Sequence, residues 1–390
     1  MKIVFYGLTV TSSWGNGHAT TYRSLCKALA RRGHHVHFIE KDVEWYRNHR
    51  DLPDPEFCTV QLYDDWSNSA SLLLHASKDA DVVVVGSYFP DAIAATDALL
   101  DAGCGPILFY DIDTPVTLAE LSSHGSTNYL DAAHIPHYAA YLSFSGGPAL
   151  RILEHAFGSP RAVGFYCSVD PSMHQRTTSH ALYRCSLSYL GTYAPDRQRK
   201  LMHYLNGAAR LMPLTSFVVA GPKYPASTPW RPNVRWLDHV APSDHPAFYS
   251  SCRFTLNLTR SDMVKAGFSP SVRLFEASAC GATILSDAWP GMEEFLTPGK
   301  EILLPRDEYD VARILRDMPE EESERIGRAA QERILEQHTA DHRALEFEAI
   351  VNAVVDTHQA PPRRPKSTWQ EEVGQSNAMR ASGSYGVHPS

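Results

Sequence analysis

Short apolar runs, mostly β-branched or aromatic, alternate along the chain with stretches whose apolar positions recur every three or four residues. Lys2–Tyr6 is the first such run and predicts a strand. The polar stretch Thr9–His18 reads as a loop. Tyr22, Leu25, Cys26, Leu29 and Ala30 then fall on one face of a helix that Gly33 stops as its C′ residue. Val36–Ile39 predicts the next strand. A strand, loop, helix, strand unit of this kind opens a parallel α/β sheet.

The rhythm continues. Asp81–Gly86 is a β-branched run suited to burial on both faces. Asp91–Ala102 predicts a helix, and Ile107–Tyr110 and Tyr141–Phe144 predict strands. The pattern breaks between Phe165 and Gln175, where a domain hinge is expected. A second series follows, with strands at Leu187–Leu190, Phe217–Ala220, Phe254–Leu258 and Thr283–Ser286. Its helices are expected at Arg197–Ala209, up to Ser251, and at Ser271–Ala279, Tyr309–Met318, Glu321–Gln337 and Ala340–Asp356. Two Rossmann-like halves are therefore expected, over 1–168 and 169–358, with the last helix able to pack back on the first half. Residues 359–390, rich in Pro, Ser, Gly and charge, read as a disordered tail.

Composition narrows the class. The chain has 390 residues, 43% hydrophobic and 21% charged, which is ordinary globular usage. Its net charge of −8 disfavours nucleic acid as a partner. No apolar run reaches the 18 or so residues of a membrane span, so no integral membrane contact is expected. The 7 cysteines are odd in number, widely spaced and without a C-x-x-C pair, which points to a reducing, cytoplasmic compartment. The His34-His35-x-His37 group straddles a turn and an alternating strand, so no metal site is expected there.

Three segments carry candidate chemistry. In the run from Gly267 to Gly281, Ser269 is placed to cap a helix, with Pro270 at its first position and Ser271 beside it. Free N–H groups at such a helix start attract anions, and Arg273 adds a donor fork suited to phosphate. Glu276 lies three residues on, on the same face, where a carboxylate can accept both hydroxyls of a ribose; an ordinary i,i+3 ion pair with Arg273 is the plain alternative. Gly15, Asn16, Gly17 and His18 lie between the first strand and helix, where glycine lets backbone approach a ligand and His18 is a candidate general base. Asp111 and Asp113 end a strand, either as residues lining a cleft, one of them a base, or as a plain turn. A metal role for this D-x-D pair is set aside.

Together these segments resemble a known family. Arg273–Glu294, RLFEASACGATILSDAWPGMEE, resembles the donor-site segment of GT-B glycosyltransferases and is most similar to the spore-maturation, CgeB-like group related to glycosyltransferase families 1 and 4. SSWGNGHATTYRSLCKALARRGH, FYDIDTPVTLAEL, YLGTYAPDRQ and NLTRSDM resemble the same group, so the likeness runs over roughly 1–355. It implies two facing Rossmann-like domains with an interdomain cleft. It implies transfer of a hexose-type sugar from a UDP-, GDP- or dTDP-linked donor to a carbohydrate or small-molecule acceptor, with no cofactor or metal required. By the same resemblance, Glu276 matches the ribose-binding Glu that ends the Glu-x7-Glu motif. Ser269, Pro270 and Ser271 form the turn facing the diphosphate. Gly191, Thr192 and Tyr193 match the loop that approaches it, and Arg197 and Arg260 are phosphate neighbours. The first Glu of the motif falls on Phe268, a departure that leaves retaining or inverting chemistry open. The competing readings are a non-catalytic nucleotide-sugar-binding partner, a nucleotide-sugar epimerase, a Rossmann oxidoreductase and a DNA-base glycosyltransferase.

Overall fold

A computed structural model describes residues 1–14 and 17–359. The first half is a seven-stranded, wholly parallel sheet. Its strands are β1 (Lys2–Tyr6), β2 (His35–Lys41), β3 (Thr59–Tyr63), β4 (Val82–Gly86), β5 (Ile107–Asp111), β6 (Ala140–Ser143) and β7 (Ala162–Gly164). Their order is β3-β2-β1-β4-β5-β6-β7. Every residue of β4, VVVVG, is buried, as expected of a strand covered by helices on both faces. The direction of winding reverses between β1 and β4, and a crevice opens there beyond the strands' carboxyl ends.

The second half repeats the design with five parallel strands, β8 (Cys185–Leu190), β9 (Phe217–Ala220), β10 (Val234–Leu237), β11 (Cys252–Asn257) and β12 (Thr283–Ser286), ordered β10-β9-β8-β11-β12. Its switch point lies between β8 and β11. The periodicity missed β3, β7 and β10. The first and last show an apolar alternation too weak to read, with burial patterns eiieB and Beei, and β7 is only three residues long.

The chain crosses between the sheets twice. Phe165–Arg184 runs without a helix or strand, touching the end of the chain where the Val169 N–H donates to His338 O and the Ala340 N–H donates to Val169 O. The last helix, Ala340–Gln359, then lies against the helix His18–Arg31. Phe347 is fully buried and stacks at 6.1 Å on Phe5 of β1. Arg31 pairs with Asp341, and Arg32 and His34 with Glu348. His34 is thus committed to a hydrogen bond with Glu348. The tail expected over 359–390 falls outside the described residues, except Gln359, which ends this helix. Among the described residues no helix is long and apolar enough to cross a membrane. All seven cysteines are free thiols.

Candidate functional site

The second domain's share of the site is built where β8 stops. Gly191 follows β8, and its N–H donates to Ala220 O at the end of β9. A Cβ on Gly191 would stand 2.7 Å from a guanidinium nitrogen of Arg273 and 2.9 Å from the Tyr189 hydroxyl. Gly221, at φ +141°, passes so close that its Cβ would meet Gly191 O at 2.1 Å. Two glycines therefore bring two loops and a guanidinium into contact.

Arg273 lies in the first turn of the helix Val272–Ala279. Its guanidinium sits 4.9 Å over the Tyr189 ring and donates to Leu190 O and to Asn257 Oδ1. Arg197, from the helix that begins at Pro195, reaches the same place and donates to Thr192 O at 2.9 Å. Its Nε is buried without a partner. Burial pulls the Arg197 pKa below its ordinary value, and the neighbouring Arg273 charge adds to the pull. Among the described residues neither guanidinium has a carboxylate within ion-pair distance. Two clustered cations without an anion are an electrostatic cost that an anionic ligand would offset.

The cap of this helix differs from the sequence expectation. The helix begins at Val272, with Ser271 and not Ser269 at the N-cap, and Pro270 lies before it. Neither serine caps it. Ser271 Oγ donates to Asn257 Oδ1 at 2.7 Å, and Ser145 Oγ of the first domain donates to Ser269 Oγ at 2.9 Å. The tug of these partners leaves the first backbone N–H groups of the helix free of side-chain caps. Beside Ser269, the Gly146 N–H donates to Phe268 O. The Phe268 ring fills the space between Gly147 and Gly291: a Cβ on either glycine would lie 2.4 Å or 2.3 Å, respectively, from ring carbons. The position expected to depart from the family motif is therefore an apolar wedge between the domains.

Glu276 is buried on the inner side of the same helix and makes no ion pair with Arg273. Its carboxylate lies 3.3 Å from His245 Nδ1 and 3.6 Å from His174 Nε2. Burial pushes its pKa up, but His245, His174 and Arg273 outweigh that and hold it below the ordinary carboxylate value.

The facing half comes from the first domain's switch point. His18 opens the helix after β1 and meets Tyr88, at the end of β4, edge to face at 5.2 Å. Burial pushes the His18 pKa down to about 4, so the ring is neutral at pH 7, and its Nδ1 is buried without a partner. Asp113 accepts from the Tyr88 hydroxyl at 3.0 Å and pairs at 3.3 Å with Arg260 of the second domain. Burial raises the Asp113 pKa, and Arg260 opposes the rise. Asp111 is corrected from a residue lining the cleft to a buried strut. It is fully buried and accepts from the Tyr141 hydroxyl, the Thr117 hydroxyl and the Asp113 N–H. Burial lifts its pKa to about 6.

The structure thus brings together Gly191, Thr192, Arg197, Ser271 and Arg273 on one side, and His18 with Asp113 on the other, with Arg260 bridging. Tyr193 sits at the end of the β8 loop, edge to face with Tyr224 at 5.6 Å. Gly17 is the N-cap of its helix with open space where a Cβ would be, and Gly15 and Asn16 lie outside the described residues. Sequence reasoning missed Tyr88, Asn257, His174 and His245. A tyrosine after a buried strand and a lone histidine in a hinge carry no spacing signal, and Asn257 stands in a short apolar run with no site motif around it.

Comparison with known proteins gives this geometry its relatives. Residues 197–349 match a family model described as glycosyl transferase-like. No curated protein matches the chain. Among solved structures, sucrose-phosphate synthase from Thermosynechococcus elongatus is 13% identical over 91% of this chain and 99% of its own, with a TM-score of 0.65. HepE of Anabaena, in complex with UDP-glucose, is 12% identical over 90% and 100%, with a TM-score of 0.65. An alpha-glucosyltransferase in complex with UDP-glucose and abasic DNA is 13% identical over 90% and 98%, with a TM-score of 0.60. The fold is GT-B. At such low identity the solved structures establish the architecture, and the segment from Arg197 onwards carries the glycosyl transferase-like sequence.

Proposed function

We propose that the protein is a glycosyltransferase that takes a hexose-type sugar from a nucleoside diphosphate donor and passes it to a carbohydrate or small-molecule acceptor. The observation that carries this reading is the pair of guanidiniums, Arg197 and Arg273, set without a carboxylate partner at a GT-B switch point beside an uncapped helix start. As the bond between sugar and diphosphate breaks, negative charge grows on the departing phosphate oxygen. Fixed cations and backbone N–H groups aimed there lower the barrier because they need no reorganisation. Glu276 is assigned to the ribose hydroxyls. On the facing side, neutral His18 is assigned to accept a hydrogen bond from the acceptor hydroxyl, and Asp113, steadied by Tyr88 and Arg260, to orient the sugar. HepE was solved with UDP-glucose and a starch synthase IV from Arabidopsis thaliana with ADP, so uridine and adenine diphosphates are the first donors to test. The CgeB-like likeness of the sequence and a cytoplasmic setting, in keeping with seven free thiols, belong to the same proposal. The net charge of −8 argues against a polyanionic acceptor.

The test is calorimetric titration of the full chain with UDP, ADP, GDP and dTDP. One of them is expected to bind, and Arg273→Ala to weaken it by about 1.5–3 kcal/mol, the scale of a hydrogen bond to a charged group. A wild-type protein that binds none of the four, with and without candidate acceptors, would sink the reading.

A further inference from the structure

Three side chains from three separate segments converge around the buried face of the helix Val272–Ala279. His174 comes from the crossing segment, His245 opens the helix His245–Ser250, and Glu276 lies mid-helix. One nitrogen of each imidazole and a carboxylate oxygen all lie within 4.8 Å of one another. Among the described residues this is the one group of its kind.

Hydrogen bonding does not explain the arrangement. The 3.6 Å separation between His174 Nε2 and Glu276 Oε1 is too long for a hydrogen bond. His245 Nδ1 stands 3.3 Å from Oε2, yet it is buried with no hydrogen bond of acceptable geometry. His174 Nδ1 is buried and unpartnered as well, in a side chain only 5% exposed. The carboxylate thus meets both imidazoles at contact distance without a well-formed hydrogen bond to either, an arrangement that an ion between them would complete.

The spacing suits a small divalent cation. Ligand bonds of about 2.0–2.1 Å in a tetrahedron separate neighbouring donor atoms by about 3.3 Å. The two nitrogen–oxygen separations, 3.3 Å to Oε2 and 3.6 Å to Oε1, end on different oxygens of the one carboxylate, and one donor atom from each of the three residues lies within 4.8 Å of the others, so a small inward turn of the side chains would close them round an ion. Two imidazole nitrogens and one carboxylate oxygen are a borderline-soft donor set, suited to zinc and poor for magnesium or calcium, which take oxygen ligands. A cavity of about 450 Å³ lies alongside, lined by Met173, Gln175 and Pro246, the sequence neighbours of both histidines.

We propose that His174, His245 and Glu276 bind one zinc-class ion, and that this ion and the donor nucleotide exclude each other. The exclusion rests on the assignment of Glu276 to the donor ribose, since one carboxylate cannot serve both. The site then gives the protein a metal-sensitive brake: an ion that needs no access to the diphosphate pocket withdraws the carboxylate from the donor.

The experiment uses the full chain stripped with a chelator, then titrated with Co²⁺ as the visible probe and with Zn²⁺. One Co²⁺ per chain is expected, with the absorption of a low-coordinate nitrogen–oxygen site and no thiolate charge-transfer band. His174→Gln and His245→Gln, each checked for native circular dichroism, should both abolish it. No band in the wild type, or a band kept in both folded variants, overturns the site. For the exclusion, UDP affinity is measured with chelator and with free Zn²⁺ at ten times its own Kd. Competition raises the apparent Kd for UDP about tenfold in the wild type and leaves it unmoved in His174→Gln, which also controls for zinc held by UDP itself. Equal shifts in both proteins, or none in either, overturn the exclusion. Failure of UDP and the other diphosphates to bind in chelator sinks the transferase reading instead, while the Co²⁺ result stands apart from it.

Discussion

Asp111 and Asp113 stand two residues apart and do different work, and the difference is one of solvent. Asp111 is sealed at the carboxyl end of β5, an inner strand, with three donors, and burial lifts its pKa to about 6. An acid whose folded pKa exceeds its unfolded value of about 3.9 binds more protons when folded, so its contribution is present below pH 4 and lost as pH rises through 6. A shift of about two units is worth up to about 3 kcal/mol across that window. Asp111→Asn is therefore expected to shrink the drop in unfolding free energy between pH 4 and pH 7, read by urea titrations at both values. An unchanged drop would show that the buried carboxylate does not titrate there. Gly191 poses a different residue-scale question. Gly191→Ala would press a methyl against the Arg273 guanidinium, placed 2.7 Å away, and the flexible end of that side chain is what must yield. The expected outcome is a loss of diphosphate affinity of at least tenfold with little loss of stability. Calorimetry and a melting curve on the same variant would show whether the two effects separate.

At the scale of elements, the loop around Phe268 joins the halves across the cleft. Its ring lies between a glycine of each domain, its carbonyl takes a hydrogen bond from Gly146, and its φ of +48° is one that few non-glycine residues adopt. Gly147→Ala, at φ +54° and with a Cβ 2.4 Å from the ring, should cost stability through both strain and overlap, about 1–3 kcal/mol. If overlap with Phe268 is the larger part, the same substitution in a Phe268→Ala background should cost clearly less, a coupling that a double-mutant cycle measures. The legibility of the sequence follows the same division. Val82–Gly86 announced a strand because both its faces are buried, whereas the edge strands Thr59–Tyr63 and Val234–Leu237 left no pattern because half their surface is wet. Arg273 was legible from its place at a helix start, whereas Gly191 and Arg197 were pointed to only by the resemblance; the structure brings the three side by side. Ser269 was misread as a cap because its partner, Ser145, is 124 positions away, and His174 and His245 were unreadable for the same reason: only the fold brings them to Glu276.

At the scale of the whole molecule, the chain ties its two halves at the back and leaves them facing at the front. The crossing segment and the last helix make the back. Phe347 stacks on Phe5 and meets Phe165 at a tilt across it, and a single buried cluster runs from β1 through the last helix to Phe275 and Phe295 of the second domain. Among the described residues the front contacts include Arg260 with Asp113, Ser145 with Ser269, and the rings of Trp14 and His239 at 5.1 Å, besides the Phe268 wedge. An apolar seam on one side and an exchangeable ion pair and hydrogen bonds on the other is a construction that bends about the seam. The seam should therefore govern stability and the front should govern closure. Phe347→Ala, which empties a fully buried aromatic site, is expected to cost about 3–5 kcal/mol and lower the denaturation midpoint of the whole chain. Arg260→Ala breaks a partly exposed pair whose worth to stability is small, so its midpoint should stay within error of wild type. It should instead shift the molecule towards a more open form, visible by solution scattering as a larger radius of gyration without donor and a smaller gap on adding it. If Arg260→Ala destabilised as much as Phe347→Ala, the front would be part of the structural frame and the division of labour argued from these contacts would fail.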